Sequence, residues 1–108
     1  MHTNLPSHAA DAAQVFERAA ELFGLLSSPL RLRIVGELCR GELNVGQLQE
    51  RIGATQSNMS QHLSVLYRAG VVARRRDGAQ VHYRISHTGV SAICREVCID
   101  IAIRDGLD

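Results

Sequence analysis

The sequence predicts a mainly helical fold that carries one β-hairpin, and three observations predict it. Apolar residues recur at three- and four-residue spacing through most of the chain, the period of helices buried on one side. Capping residues and glycines divide that pattern into five segments. Between Val71 and Ile85 the period shortens toward two around Asp77-Gly78, as in paired strands. A chain of 108 residues with 45% apolar side chains can bury one modest core, which argues against a multidomain protein and against disorder.

The first eight residues, with Pro6 among polar neighbours, read as a frayed end, and the boundaries expected are an arm over 1–10 and a domain over 11–105. From Asp11 a helix carries Ala12, Val15, Phe16, Ala19, Leu22, Phe23 and Leu26 on one stripe. Ser27 and Ser28 before Pro29 open a second helix, Pro29 to Arg40, because a serine can satisfy free amides and proline is tolerated at the first helical position. Cys39 lies in its last turn, and Gly41 ends it. Asn44 with Gln47 forms a capping-box pattern for a short helix from Val45 to Ile52, stopped by Gly53. Thr55 caps the next, Gln56 to Arg68, closed by Gly70. The hairpin follows, and a last helix from Thr88 to Ile103 has Val90, Ile93, Cys94, Val97, Cys98 and Ile101 as its stripe. The order is ααααββα.

The formal charge of +1 conceals segregation: residues 51–84 carry +5 and the remainder −4. All twelve basic residues are arginine, which suits forked contacts to phosphate or base edges and equally suits a biased genome composition. No apolar run approaches the roughly 20 residues of a membrane span, and the N-terminus lacks the pattern of a secretory signal, so a cytoplasmic protein with no membrane partner is expected. Three cysteines, Cys39, Cys94 and Cys98, do not suggest a disulfide framework. They can be buried small hydrophobes, soft-metal ligands or redox-active thiols. Paired carboxylates, a nucleophile elbow and a phosphate loop are all missing, so catalysis is not expected and no cofactor is required.

The helix from Gln56 begins with Gln56, Ser57, Asn58, Ser60, Gln61 and His62 around Met59, a run of polar side chains that combine donors and acceptors. Asn and Gln can pair with adenine, and Ser with several base edges or phosphates. A solvated face has the same composition. Two neighbours favour reading DNA: a second capped helix joined through a short Gly-bearing turn, and a hairpin holding Arg74, Arg75, Arg76 and Arg84, suited to phosphate or minor-groove contacts. This combination is a winged helix-turn-helix.

The stretch from Leu25 to Ser86, with SSPLRLRI, GELNVGQL, SQHLSVLYRAGVV and RRDG followed by VHYRIS in order, resembles the ArsR/SmtB family of small repressors over most of the chain. The resemblance implies a homodimer through the first and last helices. It also implies a near-palindromic double-stranded operator with half-sites ~34 Å apart, and release of DNA by an inducer. The family's arsenic-sensing Cys-Val-Cys falls here on Asn44, Val45 and Gly46, so both thiols are missing; its zinc pattern leaves only His87 as a remnant, with Asp100 and Ile103 further on. The cadmium and lead pattern is absent. The remaining cysteines resemble the persulfide- and redox-responsive subgroup typified by SqrR and BigR, with departures in register: that subgroup's positions align with Gly36 and a point near Ala102. If the second and last helices pack antiparallel, the two shifts compensate and Cys39 can meet Cys98. Reactive sulfur species or oxidants acting on Cys39 and Cys98, with Cys94 beside them, are therefore the expected inducers. A trivalent metalloid, As(III) or Sb(III), held by Cys39, Cys94 and Cys98 is the alternative, and structural cysteines in a winged helix used for protein interaction are a third possibility.

Overall fold

The computed structural model describes Leu5 and residues 7–107. Its elements are α1 (Ala9–Leu25), α2 (Pro29–Leu38), β1 (Leu43–Asn44), α3 (Val45–Ile52), α4 (Gln56–Arg68), β2 (Val72–Asp77), β3 (Gln80–Ile85) and α5 (Thr88–Arg104). Five helices and the hairpin stand where the sequence places them. The expected arm over 1–10 falls partly outside the described residues, and α1 begins inside it at Ala9.

The capping chemistry explains the boundaries. Ser28 Oγ accepts the Arg31 N–H at 3.3 Å ahead of Pro29. Asn44 and Gln47 form a reciprocal capping box, with Oδ1 accepting from the Gln47 N–H at 2.8 Å and Oε1 from the Asn44 N–H at 2.9 Å. Thr55 Oγ1 accepts the Asn58 N–H at 3.2 Å. Gly53, at φ 82, closes α3 in the left-handed conformation that glycine adopts without a Cβ penalty. α2 is shorter than expected and stops at Leu38, leaving Cys39 as its C-cap.

Two corrections concern the sheet. It has three antiparallel strands, with β3 between β1 and β2; Leu43 pairs with Tyr83 and Asn44 with His82. A two-residue strand that runs directly into a helix cap leaves no alternation to read. The hairpin turn also lies one residue later than expected. Asp77 pairs with Gln80, so Gly78 and Ala79 form the connection, with Gly78 at φ 62.

The core lies where α2, α3 and α4 meet the hairpin. Ile34, Val35 and Leu38 from α2, Leu48 from α3, and Met59, Leu63 and Leu66 from α4 are buried with Val71, Val72 and Tyr83. The outer helices differ. α1 contributes no buried residue, and Phe16 and Phe23 are 57% and 56% exposed. α5 packs Val90 and Cys94 on the core yet leaves Ile93, Val97, Ile101 and Ile103 in solvent. No helix of the described residues is long and apolar enough to cross a membrane.

Leu63→Ala should lower unfolding stability by about 2–5 kcal/mol, since Leu63 is fully enclosed. Asn44→Ala should cost about 1 kcal/mol through the lost cap. Urea unfolding followed by circular dichroism checks both, and equal losses would contradict this placement of the core.

Candidate nucleic-acid interface and thiol groove

Once Met59, Leu63 and Leu66 are buried, helical geometry turns the opposite side of α4 outward. Ser57, Asn58, Ser60 and Gln61 are exposed there, and Gln56 is exposed at the start of the helix. His62 is not free in the same way. It is half-buried, and its Nδ1 accepts a hydrogen bond from Arg31 Nε at 2.9 Å, while Arg31 Nη1 donates to the Leu25 carbonyl at 2.8 Å. Arg31 therefore clamps the end of α1 and the start of α2 to α4. The structure removes His62 from the outward row and gives it a positioning part.

The pleat of the hairpin divides its arginines between two faces. Arg74 and Arg76, opposite Tyr83 and Val81, share the face of buried Val72; Arg75, opposite His82, lies on the other face with Arg84. The guanidinium carbon of Arg74 sits 4.0 Å from the centroid of the Tyr67 ring, a cation–π contact that ties the wing to the end of α4. The Tyr83 hydroxyl, then Tyr67, hold that guanidinium above its ordinary pKa.

Arg75 is already partnered. Its Nη2 donates to Glu42 Oε1 at 2.7 Å and its Nε reaches the same carboxylate at 3.0 and 3.2 Å, with Asp77 3.9 Å away. That hydrogen-bonded guanidinium is the main reason Glu42 titrates below its ordinary 4.5, against a smaller opposing effect of burial. Arg76 and Arg84 are exposed, and no carboxylate lies within 4.0 Å of either among the described residues. Arg74 has no carboxylate partner either but lies over the Tyr67 ring, so among the described residues the wing cations with neither a carboxylate nor a ring beside them are Arg76 and Arg84. Glu42 escaped the sequence reading because β1, which places it beside Arg75 and His82, was not recognisable as a strand.

A second feature lies between α2 and α5. Leu32, Val35, Gly36, Cys39 and Arg40 face Cys94, Arg95, Cys98 and Ile99 across a groove of about 350 Å³. Cys39 also lines a recess with Thr88 and Ser91, so the end of α2 meets the beginning of α5 and the two helices run antiparallel. Cys39 and Cys98 are exposed free thiols; Cys94 is half-buried against the core. Burial, then the nearby Cys98 and Cys39, push the Cys94 thiol up, which disfavours its thiolate. Among the described residues no three His, Cys, Asp or Glu side chains form a metal-holding group, while the three thiols share one groove. His87 caps α5 by accepting the Val90 N–H at 3.2 Å, which accounts for it without a metal.

An outward polar row on the second helix of a helix-turn-helix, beside an arginine-bearing hairpin, defines a winged helix-turn-helix DNA-binding domain. The family model described as bacterial regulatory protein, arsR family, matches residues 28–74. The chain is 43% identical over 67 residues to the biofilm growth-associated repressor of Xylella fastidiosa, covering 62% of this chain and 59% of that relative's length. To the transcriptional activator HlyU of Vibrio cholerae it is 38% identical over 76 residues, 70% of each. Among solved structures, the transcriptional repressor BigR from Xylella fastidiosa superposes with a TM-score of 0.74 at 33% identity, covering 83% of this chain and 92% of that one. The homodimeric winged helix-turn-helix DNA-binding domain of a possible ArsR-family regulator from Mycobacterium bovis gives 0.76 at 25% identity, covering 88% of each. The chain belongs to the arsR family of bacterial regulatory proteins. Its relatives are transcriptional regulators rather than enzymes.

Two outcomes separate the arginines. Arg76→Ala and Arg84→Ala should each lower the slope of log affinity against log salt by about one, whereas Arg75→Ala should leave it unchanged. Glu42 adds a pH signature: a carboxyl with a lowered folded pKa contributes stability above its ordinary range and loses it as pH falls through the folded value. The stability gap between wild type and Glu42→Gln should therefore be open at neutral pH and close below 4.5; a gap that widens on acidification rules out the pairing.

Proposed function

We propose that the chain is a homodimeric repressor of a near-palindromic double-stranded operator, released when Cys39 and Cys98 are modified by reactive sulfur species or oxidants. The carrying observation is the exposed row Gln56, Ser57, Asn58, Ser60 and Gln61 beside the unpaired Arg76 and Arg84, in a family of regulators that includes repressors. Side chains of the row read base edges, and the wing holds phosphate. Dimerisation is supported by the apolar side chains that α1 and α5 leave in solvent, and by the homodimeric Mycobacterium domain.

Release follows from where the thiols sit. Cys39 caps the end of α2, whose other end is tied to α4 by the Arg31–His62 hydrogen bond, and Cys98 lies on α5, a dimer helix in this reading. A disulfide or sulfur bridge between Cys39 and Cys98 fixes α2 against α5 and resets the distance between the two α4 helices. A coupling of roughly 1–3 kcal/mol lowers operator affinity about 5- to 150-fold. The metalloid alternative is less favoured, because the three thiols are not gathered as ligands and Cys94 resists ionisation.

Operator binding before and after exposure to polysulfide tests this. Wild type and Cys94→Ser should be released and Cys39→Ser and Cys98→Ser retained, with peptide mass spectrometry locating the bridge; release of a variant lacking all three thiols would refute the switch. Val97→Glu should shift sedimentation toward monomer and weaken operator binding, and a folded variant that stays dimeric would move the interface elsewhere.

A further inference from the structure

The thiol groove carries charge as well as sulfur. Arg40 and Arg95 line it, no carboxylate does, and neither guanidinium has an ion-pair partner within 4.0 Å among the described residues. Two acidic side chains of the same helices are engaged elsewhere: Glu37, one turn before Arg40, pairs with Arg51 at 3.4 Å, and Asp100 pairs with Arg104 at 2.8 Å; Glu96 is exposed and does not line the groove. Leu32, Val35 and Ile99 supply apolar lining to the same groove. A recess with apolar walls and a few convergent charges is the form of a small-molecule site, and its size is at the lower end of that range.

We infer that this groove selects anionic carriers of reactive sulfur: Arg40 and Arg95 hold the carboxylates of a low-molecular-weight thiol carrier while its sulfur chain reaches Cys39 and Cys98. The inference rests on the thiol-release reading and names the chemical class that the switch accepts. With a carrier persulfide, the Cys39 thiolate attacks the outer sulfur, the carrier's S–S bond breaks, and the carrier leaves as its thiolate. The Cys98 thiolate then attacks the inner sulfur of the Cys39 persulfide, forming the Cys39–Cys98 disulfide and expelling HS⁻. Two protein thiols lose two electrons, and the transferred sulfur is reduced to sulfide. Arginine suits the holding task because its planar fork matches a carboxylate and stays charged at any relevant pH.

Three small disulfides of similar length separate charge from reactivity: dithiodipropionate with two carboxylates, cystamine with two ammonium groups, and neutral bis(2-hydroxyethyl) disulfide. Stopped-flow rates of mixed-disulfide formation on the reduced full chain, with mass spectrometry assigning adducts to Cys39 and Cys98, are compared with those of a small reference thiol. The dicarboxylate-to-cystamine rate ratio should exceed the reference ratio by roughly tenfold or more, and should fall as salt rises. Arg40→Gln with Arg95→Gln should return it to the reference value, while the neutral probe corrects for any change in thiolate fraction. A ratio equal to the reference in wild type, or unaltered in the folded double variant, overturns the inference. Because these rates need no DNA, selectivity without operator release sinks the switch and leaves the groove's preference standing, and release without selectivity sinks only this inference.

Discussion

Burying Met59, Leu63 and Leu66 against α2, α3 and the hairpin fixes the rotation of α4, and the rest of the interface follows from that rotation. A helix turns about 100° per residue, so a stripe of three enclosed side chains turns Ser57, Asn58, Ser60 and Gln61 away from the core, while Gln56 is exposed because it opens the helix. The same rotation brings the Tyr67 ring under Arg74 and aims His62 at Arg31. Core packing and the proposed reading surface are two sides of one helix, and a change that loosens the first misaims the second.

The hairpin shows how a sheet sorts a run of identical residues. Arg74, Arg75 and Arg76 are consecutive in sequence, yet alternation across the pleat and the arrival of β1 give them three surroundings: an aromatic ring, a carboxylate and solvent. The positive charge of residues 51–84 is accordingly less available than its sum of +5 suggests. Its local excess still compensates for a molecule near neutrality, with most carboxylates on other elements.

Most of the architecture was legible because each helix start carries its own chemistry. Ser28, the Asn44–Gln47 pair and Thr55 bind amides within three residues, so sequence spacing alone specifies the contact. What was not legible depends on distant partners. The Arg31–His62 bond spans 31 residues and the Arg75–Glu42 pair 33, and neither leaves a local pattern. β1 is too short to alternate, and the shift of the turn to Gly78–Ala79 is a matter of strand register that Asp-Gly composition leaves undetermined. The thiols were legible as a set, but their different surroundings, with Cys94 against the core and Cys39 and Cys98 exposed, required the packing of α2 on α5.

α1 has a thermodynamic consequence of its own. A 17-residue helix with none of its side chains buried is only marginally stable as an isolated segment in water. Within the chain only its C-terminal end is held, by Leu22 and Leu25 packed against the core and by Arg31 on the Leu25 carbonyl, so in the proposed dimer the rest of its order is supplied by a second molecule and is governed by mass action. Dilution of that proposed dimer would act as a mild denaturant, loosening the first helix while the winged core, sealed by its own contacts, stays intact.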